Sequence, residues 1–321
     1  MLTKIKTQEL CLASPVFIPT LCRSEHFRKC VEALKRNSIA KQTDLIIGLD
    51  YPAKDSHQKG YEEIRLYLAT LSGFRKVIVF EREENFGSAR NIEDAIQKIL
   101  ENYDSFIYLE DDNEVSPNFL EYVNKGLVKF KDSPSVFAIC GYSFYDDIPH
   151  DNNTFYRQNR GMCVWGYGIH KKWLEAYRQC FTRSYCLKKL LNPITLFKAA
   201  ACSCSTLLFL VMAAKNSKLC TDNTYSIYML FESKDVIMPV VSKVRNNGFD
   251  GTGEHCGINE KMIKKVLDEQ SGFEFIGSGM EYRKEIEDKL LLGKRRYMTF
   301  GCMCKHISRM IRYRFFPKKE L

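Results

Sequence analysis

The sequence predicts an α/β fold, in which helices flank a mostly parallel sheet. Two observations support this prediction. Short runs of β-branched and aromatic residues alternate with segments of helical spacing through the first half of the chain. The chain is also long enough to bury a sizeable core, because 45% of its 321 residues are hydrophobic and 27% are charged. This composition excludes a disordered protein.

The first half of the chain should supply five strands and three helices. The strands are expected at Val16–Ile18, Leu45–Leu49, Val77–Phe80, Ser105–Leu109 and Val136–Cys140. One helix should follow a cap at Ser24, and a second should include the apolar residues from Ile92 to Ile99. A third should begin at Ser116 and Pro117, because serine caps helices well and proline fits the first turn.

After Tyr145 this alternation stops. A polar loop, a glycine-aromatic stretch and helical material to Ser217 precede a last strand at Val236–Val241. The most apolar run, Leu196–Ala214, contains Lys198 and several hydroxyl side chains. We therefore expect a buried helix there and no membrane span.

Positive charge is concentrated at the end of the chain. The net charge is +9, and residues 294–321 carry nine Lys or Arg side chains against one Glu. Apolar residues between them recur at roughly helical spacing, so a helix there would have one apolar and one cationic face. It would lie on an anionic membrane surface or form a solvated or core-packed helix. Nucleic acid is not an expected partner, because no known nucleic-acid-binding motif accompanies the positive charge.

The cysteines and the N-terminus bear on location. The thirteen cysteines are scattered and odd in number, and none forms a CxxC pair of zinc-site spacing. The first ten residues lack the apolar core of a secretory signal. We therefore expect free thiols in a cytoplasmic protein, which would be peripheral at the inner face of the membrane if residues 294–321 bind there.

An acidic triplet is the sharpest feature of the sequence. Glu110, Asp111 and Asp112 directly follow the strand expected at Ser105–Leu109. Neighbouring carboxylates repel each other, so a cation or polar ligand groups normally hold them together. Their oxygens suit Mg²⁺ or Mn²⁺, which substrate phosphates often complete, and this favours a nucleoside diphosphate ligand. The alternative is a solvated acidic loop before a helix N-terminus.

The stretch EDDNEVSPNFLEYVNKGL resembles the acidic motif of GT-A fold glycosyltransferases. It is most similar to the N-glycan N-acetylglucosaminyltransferase I type and to bacterial family 2 enzymes of surface-polysaccharide synthesis. The resemblance implies a GT-A (Rossmann-like) domain over residues 1–260, with the nucleotide bound at about 14–145 and the acceptor at about 146–260. Residues 261–321 would then be a helical, basic C-terminal extension.

The resemblance also implies roles for residues of the triplet and of the first loop. Asp112 would bind the metal, Mn²⁺ or Mg²⁺, while Glu110 and Asp111 would contact the donor sugar or ribose. Thr20 and Arg23 fall in the loop that holds the nucleotide. From the residues alone, Arg23 could equally be a surface arginine at a helix start.

Two further segments match nucleotide-binding positions of the family. Asp50 falls where related enzymes contact uracil or ribose, although a turn residue is equally consistent with Asp before Tyr-Pro. In EENFGSARN, the residues Asn85, Gly87 and Arg90 match a family stretch at a helix start. Glycine allows close approach of the backbone to a ligand, and a helix N-terminus offers N–H groups to an anion.

Two segments of the second half resemble sugar-facing and loop segments of the family. In GMCVWGYG, the resemblance places Trp165 and Gly166 under the sugars, and core packing of Trp165 is the alternative. In NNGFDGTGEHC, the resemblance suggests a loop that closes over the donor, with His255 touching metal or diphosphate. A simply exposed histidine is the alternative there.

Inverting transfer needs a general base beside the acceptor hydroxyl. The resemblance assigns this role to Asp222, although Thr221 stands where relatives have Trp. Asp222 would also serve as a helix cap, and Asp235 and Asp250 are the alternative bases.

The predicted activity is therefore a metal-dependent, inverting glycosyltransferase. It would move a sugar from a nucleotide-sugar, with UDP as the expected nucleotide, to a saccharide or lipid-linked saccharide acceptor in surface-polysaccharide synthesis. Two alternatives stay open. A sugar nucleotidyltransferase would have a glycine-rich triphosphate loop after the first strand, and PTLCRSEHF is not one. A non-catalytic, membrane-attached sugar-binding protein would bind without turnover.

Overall fold

The structure is a computed structural model that describes residues 13–144, 152–159, 161–202, 204–215, 221–252 and 257–277. The chain forms two compact units. The first comprises residues 1–155, 163–175 and 236–278, and the second comprises 156–162, 176–235 and 279–321. The basic segment 294–321 lies outside the described residues, so the predictions made for it stay predictions.

The described residues contain strands and helices in alternation. The strands are β1 (Val16–Thr20), β2 (Asp44–Leu49), β3 (Lys76–Glu81), β4 (Ser105–Tyr108), β5 (Asn113–Val115), β6 (Val136–Cys140), β7 (Phe155–Gln158), β8 (Tyr167–His170), β9 (Asp235–Pro239) and β10 (Val244–Asn246). The helices are α1 (Ser24–Lys35), α2 (Asp55–Thr70), α3 (Gly87–Asn102), α4 (Phe119–Phe130), α5 (Lys171–Cys180), α6 (Arg183–Leu191), α7 (Pro193–Cys202), α8 (Cys204–Ala214), α9 (Thr221–Glu232) and α10 (Glu260–Ile263).

The main sheet has eight strands in the order β3-β2-β1-β4-β8-β6-β9-β7. Strands β3, β2, β1 and β4 are parallel, and β8 runs antiparallel to both β4 and β6. Thr20 pairs with Leu49, and the Asp50 N–H donates to the Thr20 carbonyl at 3.0 Å. The loops after β1 and β2 therefore leave the sheet at the same edge, where ligands bind in open α/β sheets.

The predicted α/β class is confirmed, and all five strands expected in the first half are present. Two predicted helix starts differ from the structure. Ser24 lies inside the first turn of α1, where its hydroxyl donates to Glu63, and Arg23 takes the cap position. Helix α4 begins after Asn118, whose side chain accepts a hydrogen bond from the Ser116 hydroxyl. In both cases a side-chain partner elsewhere displaces the expected serine cap.

The second unit contains a small helical core. Its buried residues come from α6 to α9 and are Cys186, Ala199, Leu210, Ala214 and Ile227. The run Leu196–Ala214 is helical on both sides of residue 203, as α7 and α8, and it is only partly buried, because Phe197 is exposed while Leu210 and Ala214 are buried. No helix within the described ranges is long and apolar enough to cross a membrane.

A two-stranded antiparallel sheet, β5 with β10, fixes the segment after the acidic triplet. Just before β10, the buried Lys243 ammonium forms an ion pair with Asp268. Burial raises the pKa of Asp268, but the hydrogen bonds from Lys243, the Gln270 N–H and Asn118, together with the charge of Lys243, outweigh it, so the pKa of Asp268 is lowered. Because the folded pKa is lowered, the stabilisation is present above the unfolded pKa of about 3.9 and is lost as the pH falls below it.

We expect Asp268→Asn to lower the free energy of unfolding by about 3 kcal/mol at pH 7, since it leaves a buried ammonium without its counter-ion. The measurement is denaturant unfolding at pH 7 and pH 3.5. The loss should shrink at the lower pH, where the unfolded carboxylate is largely protonated and the ion pair gives the folded state less advantage. An equal loss at both pH values would contradict the ion-pair explanation.

Candidate functional site

A cleft of about 690 Å³ opens in the first unit at the carboxyl ends of β1, β2 and β4. This volume is within the range of small-molecule and cofactor sites. Eight of the residues predicted from the sequence line it: Thr20, Arg23, Asp50, Asn85, Gly87, Glu110, Asp111 and Asp112. The fold therefore brings the acidic triplet together with the first loop and with the start of α3.

Two carboxylates and one guanidinium form the polar centre of this cleft. Arg23 Nη1 donates to Asp112 Oδ2 at 2.8 Å and lies 3.8 Å from Asp111 Oδ1. The Thr20 hydroxyl donates to Asp111 Oδ2 at 2.9 Å. The loop after β1 thus reaches across to the loop after β4 through two side chains.

The turn over Glu110–Asn113 sets the direction of the carboxylates. The Glu110 N–H donates to Asn113 Oδ1 at 3.1 Å, and the Asn113 N–H returns a bond to the Glu110 carbonyl. The Asp112 carbonyl accepts the Asn247 N–H at 2.9 Å. Gly248 follows, and a Cβ there would lie 2.1 Å from Asp112 Oδ2. The backbone beyond β10 therefore packs directly against the Asp112 carboxylate.

The two carboxylates repel each other strongly enough to perturb ionisation. Burial, together with the charge of Asp112, raises the pKa of Asp111 to about 6, although Arg23 and the Thr20 hydroxyl oppose this shift. One guanidinium therefore neutralises the pair only in part. A further cation near these oxygens would lower that repulsion.

The donor set is consistent with a magnesium or manganese ion completed by ligands from outside the protein. Within the described residues, no three His, Cys, Asp or Glu side chains form a self-contained metal site. Mg²⁺ is commonly held by only one or two carboxylates and by substrate phosphates. The pair of Asp111 and Asp112 fits that pattern.

Asp50 ties two loops together at the edge of the cleft. Its Oδ1 accepts the N–H groups of Tyr51 and Phe86 at 2.9 and 2.8 Å, and its Oδ2 accepts Asn85 Nδ2 at 3.4 Å. Asn85 Nδ2 also donates to the Tyr51 carbonyl at 2.6 Å. Both residues therefore shape the wall between β2 and α3.

Gly87 and Arg90 lie in the first turn of α3, but only Gly87 lines the cleft. Gly87 lines the cleft with a left-handed φ of 70°, and nothing lies within 4 Å of the position of a Cβ. The Arg90 guanidinium instead lies 3.6 Å from the centre of the Phe86 ring and pairs with Glu84 at 3.0 Å. Its contacts are on the exposed side of the helix start.

The glycine-aromatic segment belongs to an aromatic cluster of the first unit. Trp165 is half-buried and meets Tyr142 and Phe249 edge to face, at 5.0 and 5.6 Å between ring centres. Gly166 has a left-handed φ of 67°, and its carbonyl accepts the Gly141 N–H at 2.6 Å. A Cβ at Gly166 would lie 2.6 Å from Val244, so close packing requires this glycine. His255 lies outside the described residues.

The candidate bases differ in their environments. Asp222 lies in the first turn of α9 in the second unit, where burial raises the pKa of its carboxyl although a hydrogen bond from the Asn223 N–H lowers it. Asp250 bonds to Thr252 and His26, and the Thr252 hydroxyl contributes most to lowering its pKa to about 2. Asp235 is buried beside Arg157, 3.6 Å away. A carboxylate of low pKa is a weak base, so the chemistry favours Asp222 over Asp250.

The sequence analysis missed several residues of the cleft. Lys54 and His57 line it from the start of α2, and the His57 ring accepts the Ala53 N–H at 3.3 Å. Gly60 packs α2 against the first loop, since a Cβ there would lie 1.9 Å from the Cys22 carbonyl. Only two residues of α2 are buried, so its apolar pattern was too weak to predict the helix.

The chain has similarities to known proteins. The family described as "Glycosyl transferase family 2" matches residues 16–163. No curated protein matches the sequence significantly. Similar solved structures include S. aureus TarS, with 13% identity and a TM-score of 0.30, over 42% of this chain and 23% of that chain. They also include the mannosyltransferase PcManGT from Pyrobaculum calidifontis, in complex with GDP-Man and Mn²⁺. This match has 12% identity and a TM-score of 0.37, over 68% of this chain and 73% of that chain.

The family match covers β1 to β7 and every residue of the Asp111–Asp112–Arg23 cluster. The predicted enzyme class is confirmed. Residues 16–163, just under half of the chain, are therefore similar to glycosyltransferase family 2, and the match supports a family 2-like glycosyltransferase of GT-A fold.

Proposed function

We propose that the protein transfers a sugar from a UDP-sugar to a hydroxyl of a saccharide or lipid-linked saccharide, with inversion and with a divalent metal. The observation that carries this proposal is the Asp111–Asp112 pair, joined by Arg23, at the ligand-binding edge of the sheet. Surface-polysaccharide synthesis is the proposed pathway, on the resemblance described above.

Arg23 supports an anionic donor. Its Nε and Nη2 are buried and have no hydrogen-bond partner among the described residues. Unsatisfied buried donors are costly, so a ligand that accepts from them should bind favourably. The fork of a guanidinium matches phosphate oxygens well, and Lys54 adds a second cation to the same cleft. Arg23 would thus bridge Asp112 and the donor diphosphate.

Asp112 would hold Mn²⁺ or Mg²⁺, and Glu110 and Asp111 would contact the donor sugar or ribose beside it. The metal, when bound, would neutralise charge on the departing nucleoside diphosphate. Asp50 and Asn85 would hold the loop that faces the base, and Gly87 would leave room there. Trp165 and His255 are proposed to face sugar and diphosphate on the resemblance alone.

Asp222 is the proposed base, because burial raises its pKa toward the range in which a carboxylate accepts a proton effectively. We expect Asp222→Asn to lower kcat by about 10³-fold with little change in donor affinity. Asp250→Asn is the matched control and should retain most of the turnover. If the two variants lost activity equally, the assignment of Asp222 as the base would be wrong.

A nucleotide-release assay tests the proposed activity. The full chain would be incubated with UDP-, GDP- and CMP-sugars, a panel of saccharide acceptors and Mn²⁺. The proposal predicts acceptor-dependent release of UDP, and the anomeric configuration of the product by NMR should be inverted. Release of pyrophosphate from a nucleoside triphosphate and a sugar phosphate would contradict it.

A further inference from the structure

The corner between α6 and α7, in the second unit, exposes three large apolar side chains. Leu191, Ile194 and Phe197 are 82%, 78% and 76% exposed. They fall within seven residues, at the end of α6 and on the first turns of α7. Other highly exposed apolar residues of the described chain, such as Leu66 and Val128, lie singly on their helices. Clustered apolar exposure of this kind marks an interaction surface.

Hydrogen bonds fix the backbone of the corner between α6 and α7. Asn192 ends α6, and its side chain accepts the N–H groups of Ile194 and Thr195 at 2.9 and 3.4 Å to cap α7. Pro193 occupies the first position of α7, where a missing N–H is harmless. The inner faces of the two helices supply Cys186 and Ala199 to the helical core. The exposed side chains therefore form a separate outer face.

The sequence around this face is basic, and the nearby Glu232 of α9 is already paired with Lys189 at 3.1 Å. Residues 176–221 include seven basic residues and not one Asp or Glu. Lys188 and Lys198 are exposed on the two helices of the corner. An apolar patch bordered by cations matches an anionic bilayer, because apolar side chains enter the interface while lysines reach lipid phosphates.

We propose that the α6–α7 corner, through Leu191, Ile194 and Phe197, docks onto an anionic lipid surface. This site is separate from residues 294–321 and from the donor cleft. The lipid phosphates supply the negative charge, and the acyl region takes the three apolar side chains. Docking here would hold the second unit at the membrane, where a lipid-linked saccharide would be found.

The test is binding of the full chain to vesicles of phosphatidylcholine with and without phosphatidylglycerol. We expect binding only with phosphatidylglycerol, and weaker binding as salt rises. A variant with Leu191→Ser, Ile194→Ser and Phe197→Ser should bind at least tenfold more weakly. The matched control is Leu66→Ser, which removes a 71% exposed leucine on α2 and should bind like the wild type.

A second readout reports from the corner itself. In Phe197→Trp, the indole emission should shift to shorter wavelength on addition of anionic vesicles. Vesicle binding without this shift, or wild-type binding by the triple variant, would overturn the proposal and leave residues 294–321 as the membrane element. Self-association that the triple variant abolishes, without vesicle binding, would assign the corner to a second copy instead. Titration of UDP in the same variants separates this result from any failure of the transferase proposal.

Discussion

Replacing Asp112 by Asn should abolish metal-dependent transfer and lower kcat/KM by about 10³-fold, which is on the order of 4 kcal/mol. The substitution preserves side-chain volume but removes the charge that pairs with Arg23 and that would bind the metal. Asn113 Nδ2, which donates to Asp112 Oδ1 at 3.0 Å, could still bond to the amide oxygen, so the turn should persist. The measurement is initial rate of donor turnover against Mn²⁺ concentration.

Asp132→Asn is the control for this experiment. Asp132 is an exposed acid that pairs with Lys172 at 3.3 Å on the surface, so its loss should leave both rate and metal dependence unchanged. If Asp112→Asn kept the wild-type rate and the wild-type response to Mn²⁺, the proposed metal site would be incorrect.

The second large effect is expected from a single methyl group. Gly248→Ala would place a Cβ 2.1 Å from Asp112 Oδ2 and 3.1 Å from Arg23 Nη2. The Asp112 carboxylate must rotate away, because contacts below 3 Å are not tolerated. We expect about a 10²-fold loss of kcat/KM, since displacement of a positioned group by about 1 Å has effects of this size. Steady-state kinetics and thermal unfolding of the variant test this.

Gly257→Ala is the matched control. Gly257 has no atom within 4 Å of the position of a Cβ, and it follows in the same part of the chain. Activity should therefore stay near the wild-type value. If Gly248→Ala were fully active, the contact between Gly248 and the carboxylate would not be important for the site. If it lost activity only in proportion to unfolding, the effect would be on stability alone.

The parallel half of the fold was predictable because its strands are continuous apolar runs. β1 and β2 are almost wholly buried and carry β-branched and aromatic side chains, so they stand out in the sequence. The acidic triplet was predictable because three carboxylates directly follow the apolar run of β4. Thr20, Asp50 and Asp111 lie at or just after the carboxyl ends of the parallel strands β1, β2 and β4, so they were expected to lie close together.

Other features depend on contacts that are distant in sequence. The approach of Gly248 to Asp112 follows from the pairing of β5 with β10, two three-residue strands with little pattern of their own. The ion pair of Lys243 with Asp268 spans 25 positions and has no local signal. The exposure of Phe197 was missed because a uniformly apolar run does not show which face of a helix is buried.

The most direct test of the central claim is calorimetric titration of UDP into the full chain, with Mn²⁺ and with a chelator. The Asp111–Asp112–Arg23 site predicts at least tenfold tighter binding of UDP in the presence of Mn²⁺, with uridine binding weakly in both conditions. The gain should disappear in Asp112→Asn. Equal affinity for UDP with and without the metal, in the wild type, would contradict the account.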